Sequence, residues 1–272
     1  MTAVYDPTDP KYFDPAELSV ELDRVFDLCH GCRLCFNLCP SFPTLFDFID
    51  ARDGDVAALT QGERDQVVDE CYQCKLCYVK CPYVPPHEWE LDFPRLMSRV
   101  HAVRKAQGVG VKERLTDQFL GRTDALGKIS VAAAPVVNWA TGTPGSLSRR
   151  LMEKTVGLAS QRLLPPYARQ RFTTWFARRR PAAVPEGGRS VAVFPTCFVE
   201  YMDPDVGQDL VRVYEHNGIG CSLPAGTKCC GAPWLHSGNL EQFGDAARRN
   251  VAALAAEVRA GRDVVVAQPT CA

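Results

Sequence analysis

One cysteine spacing occurs twice and limits what the first part of this chain can become. The run C-x2-C-x2-C-x3-C-P appears as Cys29, Cys32, Cys35, Cys39 and Pro40, and again as Cys71, Cys74, Cys77, Cys81 and Pro82. This is the spacing of chains that hold two [4Fe-4S] clusters. Three closely spaced thiolates can reach three corners of one cubane, while the fourth, beyond a longer gap, points towards the other. Crossed ligand sets are therefore expected: Cys29, Cys32, Cys35 and Cys81 for one cluster, and Cys71, Cys74, Cys77 and Cys39 for the second. Zinc and disulfides are the competing uses of so many thiols. Structural zinc is usually held by two C-x2-C pairs across a long spacer, a form that neither run has.

Composition bears on compartment. Thirteen cysteines with no secretory leader pattern argue for a reducing compartment and for ligation over stapling. A cytoplasmic location is expected, with any attachment to the cytoplasmic membrane peripheral and through partners. No transmembrane segment is expected, since the most apolar stretch, residues 131–140, is short and interrupted by Pro135 and Asn138. The formal net charge of -1 conceals a contrast. Residues 1–100 carry 18 Asp and Glu against 9 Lys and Arg, whereas residues 149–180 carry 9 Arg and Lys against Glu153 alone. Two contact surfaces of opposite sign follow. No nucleic-acid-binding motif accompanies the basic segment, so nucleic acid is not an expected partner.

Along the chain, residues 1–15 read as an extended arm broken by Pro7, Pro10 and Pro15. Helical periodicity over residues 18–28 and 63–70 delivers the chain into each cysteine run, making an internal repeat. Phe36, Leu38, Phe42, Leu76, Tyr78 and Val79 are expected to wall the cysteine sites from water. A further helix is expected within residues 89–107, with Arg95, Arg99, Arg104 and Lys105 on its wetter side. Residues 108–188 are a Gly/Pro/Arg-rich connector with short helices at 111–119 and 147–156. Its basic and aromatic part suits a connector packed across domains, an anchor for a partner chain, or an interfacial membrane patch. From residue 189 the pattern becomes strand 190–194, helix 205–216, helix 240–259 and strand 263–267, which indicates a parallel sheet with a site at its strand carboxyl ends. Cys197 and Cys271 fall there, and Cys229-Cys230-Gly231 lies in a loop between them. The fold class is thus α+β, a largely helical two-cluster ferredoxin-type domain (1–107) and then, past the connector (108–188), an α/β domain (189–272).

The Cys-Cys-Gly loop, placed after a double ferredoxin run, resembles the Cys-Cys-Gly domain family. That family includes the Cys-Cys-Gly-bearing chain of heterodisulfide reductases and the iron-sulfur subunits of glycolate, lactate and anaerobic glycerol-3-phosphate dehydrogenases. The segment from Leu151 to Gly157, with Leu164-Pro165 and Phe172 to Trp175, is similar to the last of these. The resemblance implies that Cys197, Cys229, Cys230 and Cys271 form one cysteine unit, suited to a third iron-sulfur cluster or to structural zinc, or left unligated. In the family a second unit commonly follows, so the sheet is expected to be completed by a longer chain or a separate one. Cys221 falls outside the pattern and is expected to be a packed free thiol. The implied function is an electron-transfer subunit of a multi-subunit oxidoreductase. A flavin-containing dehydrogenase subunit is the implied donor and a quinone or membrane-associated group the implied acceptor. The alternatives are disulfide reduction of the heterodisulfide reductase type, and a scaffold with structural clusters. No Gly-rich dinucleotide fingerprint follows a strand.

Overall fold

The computed structural model describes residues 4–108, 110–185, 187–268 and 271, and for Lys112 the backbone alone. Ala272 and the first three residues of the expected arm lie outside the described residues. The chain divides into two compact units: Met1–Val109 with Leu235–Asn239, and Gly110–Trp234 with Leu240–Ala272.

The first unit is helical: α1 (Pro15–Cys32), α2 (Ser41–Asp50), α3 (Gln61–Asp69), α4 (Leu76–Lys80) and α5 (Phe93–Gln107). Apolar residues three and four apart put one face of each long helix into a common core. Leu18, Leu22, Val25 and Phe26 meet Phe42, Leu45, Phe46 and Ile49, with Val67 and Val68 of α3 and Phe93, Leu96, Met97 and Val100 of α5. Caps mark the starts. Asp14 accepts from Ala16 N at 2.8 Å ahead of Pro15, and Thr60 and Glu63 form a reciprocal capping box at α3.

The internal repeat has a backbone signature. Arg33 and Lys75, each one residue past the second cysteine of its run, are both left-handed, with φ of 54° and 60°. The first copy differs from expectation upstream: α1 does not stop at Leu28 but continues through Cys29 and Cys32 until Arg33 caps it. Nothing in Cys29-His30-Gly31 breaks a helix strongly enough to end it sooner.

Two sequence expectations for this unit are corrected. The arm is not simply extended, because Pro10–Phe13 form a 3-10 turn with Tyr12 buried. Arg99 is not on the wet side of α5 but 1% exposed. Its guanidinium donates to Tyr12 O at 2.7 Å and Lys11 O at 2.6 Å, which ties the arm to the helix.

The second unit opens with α6 (Val111–Gly121), α7 (Thr123–Ala132), α8 (Ala134–Thr141), α9 (Leu147–Val156) and α10 (Phe172–Arg178). It continues β1 (Ser190–Phe194), α11 (Cys197–Tyr201), α12 (Pro204–His216), β2 (Gly220–Ser222), the first three residues of α13 (Ala232–His236), α14 (Leu240–Arg259) and β3 (Asp263–Val266). All three strands run parallel in the order β2-β1-β3. Val191, Val193, Val199, Val211 and Phe172 make the core beside the sheet. A largely helical region is thus followed by a small open parallel sheet with helices around it.

Candidate functional site

The cysteines of the first unit gather around two adjoining cavities. Cys29, Cys32, Cys35 and Cys81 line the first together with Cys77. Cys39, Cys71 and Cys74 line the second, again with Cys77. Phe42 and Phe93 also border both. Helix α1 supplies Cys29 and Cys32, the turn after Arg33 supplies Cys35, and α4 carries Cys77 up to Cys81 at its end.

The walls are only partly those expected. Phe42 is buried, and Leu38 and Tyr78 each border one cavity. Phe36, Leu76 and Val79 instead face outward, Val79 at 84% exposure. In so short a helix as α4, neighbouring residues necessarily point in different directions, and Cys77 takes the inner one.

Burial dominates the electrostatics. It pushes the Cys35 and Cys71 thiols up to about 11. Cys29, Cys39, Cys77 and Cys81 are raised by the same desolvation, and for Cys29 and Cys77 neighbouring thiols add to it.

The expectation of two [4Fe-4S] clusters and of a third iron-sulfur cluster is corrected by this geometry. Among the described residues, no three His, Cys, Asp or Glu side chains are grouped so that they could hold a metal ion. The thiols are spread over the walls of the two cavities. The voids they line measure about 30 Å³ and 10 Å³, room for about two waters and one. The donor set as folded does not fit a four-iron cubane, and zinc fails on the same ground.

In the second unit, β1 leads into Cys197 at the start of α11, and Cys271 follows β3, so both lie beyond the carboxyl ends of parallel strands. The four cysteines form a chain of contacts, not a converged set. Cys197 is hydrogen-bonded to Cys229, Cys229 to Cys230, and the Cys230 thiol to Cys271 Sγ at 3.6 Å. The hydrogen bond to Cys229 and burial together raise Cys197. For Cys229 the bond from Cys197 pulls the other way, but Cys230 and burial outweigh it. Cys221 stands apart as a half-buried free thiol in β2.

Sequence reasoning missed the residues that hold this loop. Asp124, from α7, accepts the Cys229 N–H at 2.9 Å and the Tyr201 hydroxyl at 3.1 Å. Buried Asn250, from α14, accepts from Lys228 N at 2.9 Å and donates to Cys229 O at 3.1 Å. Gly231 completes the turn with φ of +89°, and a Cβ there would lie 3.1 Å from both Ala246 Cβ and the Phe243 ring. The glycine of the Cys-Cys-Gly run is thus required by both backbone conformation and space.

Comparison with known proteins fits this two-part layout. Residues 191–272 match the Cysteine-rich domain family, and residues 22–107 match the Citrate utilization protein B Fer4-like domain. The chain bears a family resemblance to the iron-sulfur subunits that join these two parts. It is similar to a subunit of anaerobic glycerol-3-phosphate dehydrogenase from Escherichia coli (strain K12), 32% identical over 158 residues, covering 58% of this chain and 39% of that one. One subunit of the fumarate reductase (CoM/CoB) of Methanothermobacter marburgensis is 39% identical over 67 residues, 25% of this chain and 14% of its own. Lactate utilization protein A of Shouchella clausii is 36% identical over 62 residues, 23% and 26% of the two chains. The chain therefore spans well under half the length of these relatives. No solved structure is a significant match. The first two of these relatives are subunits of oxidoreductases by name. Among the described residues, no helix is long and apolar enough to cross a membrane.

Proposed function

We propose that the chain is the electron-transfer subunit of a multi-subunit oxidoreductase, taking electrons from a flavin-containing dehydrogenase subunit and passing them towards a quinone or a membrane-associated acceptor. The observation that carries this is the match of residues 22–107 to a Fer4-like domain and of residues 191–272 to a cysteine-rich domain in one chain. Similarity to a subunit of a glycerol-3-phosphate dehydrogenase and to one of a fumarate reductase supports the same class. Cys39 is assigned to work with Cys71, Cys74 and Cys77, and Cys81 with Cys29, Cys32 and Cys35.

The test is purification of the chain from its own cells with whatever accompanies it, followed by stopped-flow reduction of the flavin partner. Electron arrival at an added quinone should require this chain. In the reconstituted complex, Cys39→Ala and Cys74→Ala should impair the same step non-additively, whereas Cys39→Ala and Cys32→Ala should add. A chain that purifies without any dehydrogenase would end the proposal.

A second function is favoured by the Cys230–Cys271 contact of 3.6 Å. As a dithiol, the pair would reduce a substrate disulfide. The Cys230 sulfur attacks one substrate sulfur, the substrate S–S bond breaks and the first thiol leaves. Cys271 then closes on Cys230 and releases the second thiol. The substrate gains two electrons and two protons, and the resulting Cys230–Cys271 disulfide is reopened by two electrons from the flavin partner and two protons from solvent. Against the pull of the Cys229 hydrogen bond, the hydrogen bond with Cys271 and burial raise the Cys230 thiol, so the rate should climb with pH. Mass spectrometry of acid-quenched Cys271→Ser protein should find substrate trapped on Cys230; unmodified Cys230 would exclude this chemistry.

A further inference from the structure

A cavity of about 420 Å³ opens in the second unit between the start of α7 and the face of α14, touching Cys229 at its floor. Its volume lies in the range of roughly 300–1,000 Å³ typical of small-molecule sites. Neither function proposed above uses it.

Six charged side chains border it: Arg122, Lys128, Lys228 and Arg249 against Asp124 and Asp245. Both carboxylates are already engaged. Asp124 accepts from Cys229 N and the Tyr201 hydroxyl, and Asp245 pairs with Arg248 at 2.5 Å. Arg122 donates only to the neutral Gln118 side chain, at 3.2 Å. Among the described residues, the side chains of Lys128, Lys228 and Arg249 have neither a hydrogen bond nor an ion pair. Four cations thus border one hollow, against the Asp124 carboxylate, whose partners are neutral, and Asp245, which Arg248 already pairs. The excess of positive charge favours a negative group there.

Trp234 adds an aromatic wall. The Trp234 ring borders the cavity, seated where Gly121 has no side chain; a Cβ on Gly121 would fall 2.4 Å from that ring. A ligand would therefore meet cations on its rim and an indole wall.

We propose that this cavity binds a small molecule bearing phosphate or carboxylate groups, seated against the Cys229 end of the cysteine chain. The site stands apart from the electron-transfer function, since its test reads binding and not redox activity. Isothermal titration of the full chain at low ionic strength, with inorganic phosphate in one series and succinate in another, decides it. One saturable site is expected for at least one of the two anions. Lys228→Gln and Arg249→Gln should each weaken it about tenfold, the loss of one charge-assisted hydrogen bond. Arg180→Gln, an exposed arginine away from the cavity, should leave affinity unchanged, and excess potassium chloride should lower it. Saturation by phosphate alone or by succinate alone identifies the preferred group. No saturable heat with either anion, or an affinity unchanged in both cavity variants, would overturn the proposal. Circular dichroism of the variants separates lost binding from lost folding, because both replaced side chains are exposed.

Discussion

Asn250 brackets the peptide around Cys229 from both sides, accepting the Lys228 N–H at 2.9 Å and donating to the Cys229 carbonyl at 3.1 Å. One buried carboxamide on α14 thereby sets where the Cys-Cys-Gly loop lies. Asn250→Ala leaves a buried carbonyl and a part-buried amide unpaired and should cost about 1–3 kcal/mol. The check is hydrogen exchange: amides at 228–230 should lose protection, and unchanged exchange there would refute the clamp.

Two glycines separate backbone cost from packing cost. Gly226 and Gly231 have φ of +85° and +89°, but only Gly231 has neighbours where a Cβ would sit. Gly226→Ala should cost about 1–2 kcal/mol for the left-handed conformation alone. Gly231→Ala should cost clearly more, because α14 must also move. Equal melting-temperature drops would show that the contacts with Ala246 and Phe243 yield freely.

Arg179 and Glu215 form a nearly buried ion pair at 2.9 Å, with the guanidinium over the Phe176 ring. Removing one partner strands the other, so Glu215→Gln should destabilise by roughly 3 kcal/mol. The double change Arg179→Met with Glu215→Leu should recover part of that loss in denaturant unfolding. A double variant worse than the sum of the singles would contradict the pairing.

Alkaline pH should unfold the protein earlier than its carboxylates and amines would suggest. The folded state holds the Cys35, Cys71 and Cys221 thiols up to about 11, chiefly by burial, against about 8.5 in an unfolded chain. A raised folded pKa means more protons bound in the native state, so this stability is complete below about pH 8.5 and is lost as pH climbs through the folded values. Unfolding at fixed denaturant should accelerate over that window. Cys221→Ser should flatten the response for the second unit; a profile indifferent to pH there would count against it.

Much of the fold could be read from residue order. Strand 190–194 and helix 240–259 coincide with β1 and α14 because each carries an uninterrupted pattern of its own period. Helices α7, α8 and α10 escaped because short Ala-, Gly- and Pro-containing stretches lack a clear stripe. Strand β2 escaped because Gly-Cys-Ser gives no apolar run, and only its pairing with β1 makes it a strand. Buried arginines are equally hidden. Arg149 is fully enclosed and donates to Ala159 O and Arg162 O, a role no periodicity announces. At the site, each cavity lining mixes cysteines of the two runs and Cys77 borders both, which spacing along the chain does not announce. Nor does it announce the polar clamps, because Asp124 and Asn250 come from separate helices, and spacing along the chain does not dictate how closely thiols converge in space.

The matched left-handed turns at Arg33 and Lys75 carry an implication about origins. Long cationic side chains enter that conformation reluctantly, yet each sits at the same step of its motif. Chance would have to act twice, whereas duplication of a half-length ancestor needs it once. The two copies differ upstream, where α1 runs unbroken through Cys29 and Cys32 while α3 ends at Asp69, so a chimaera bearing either turn in both places should still thread the same path.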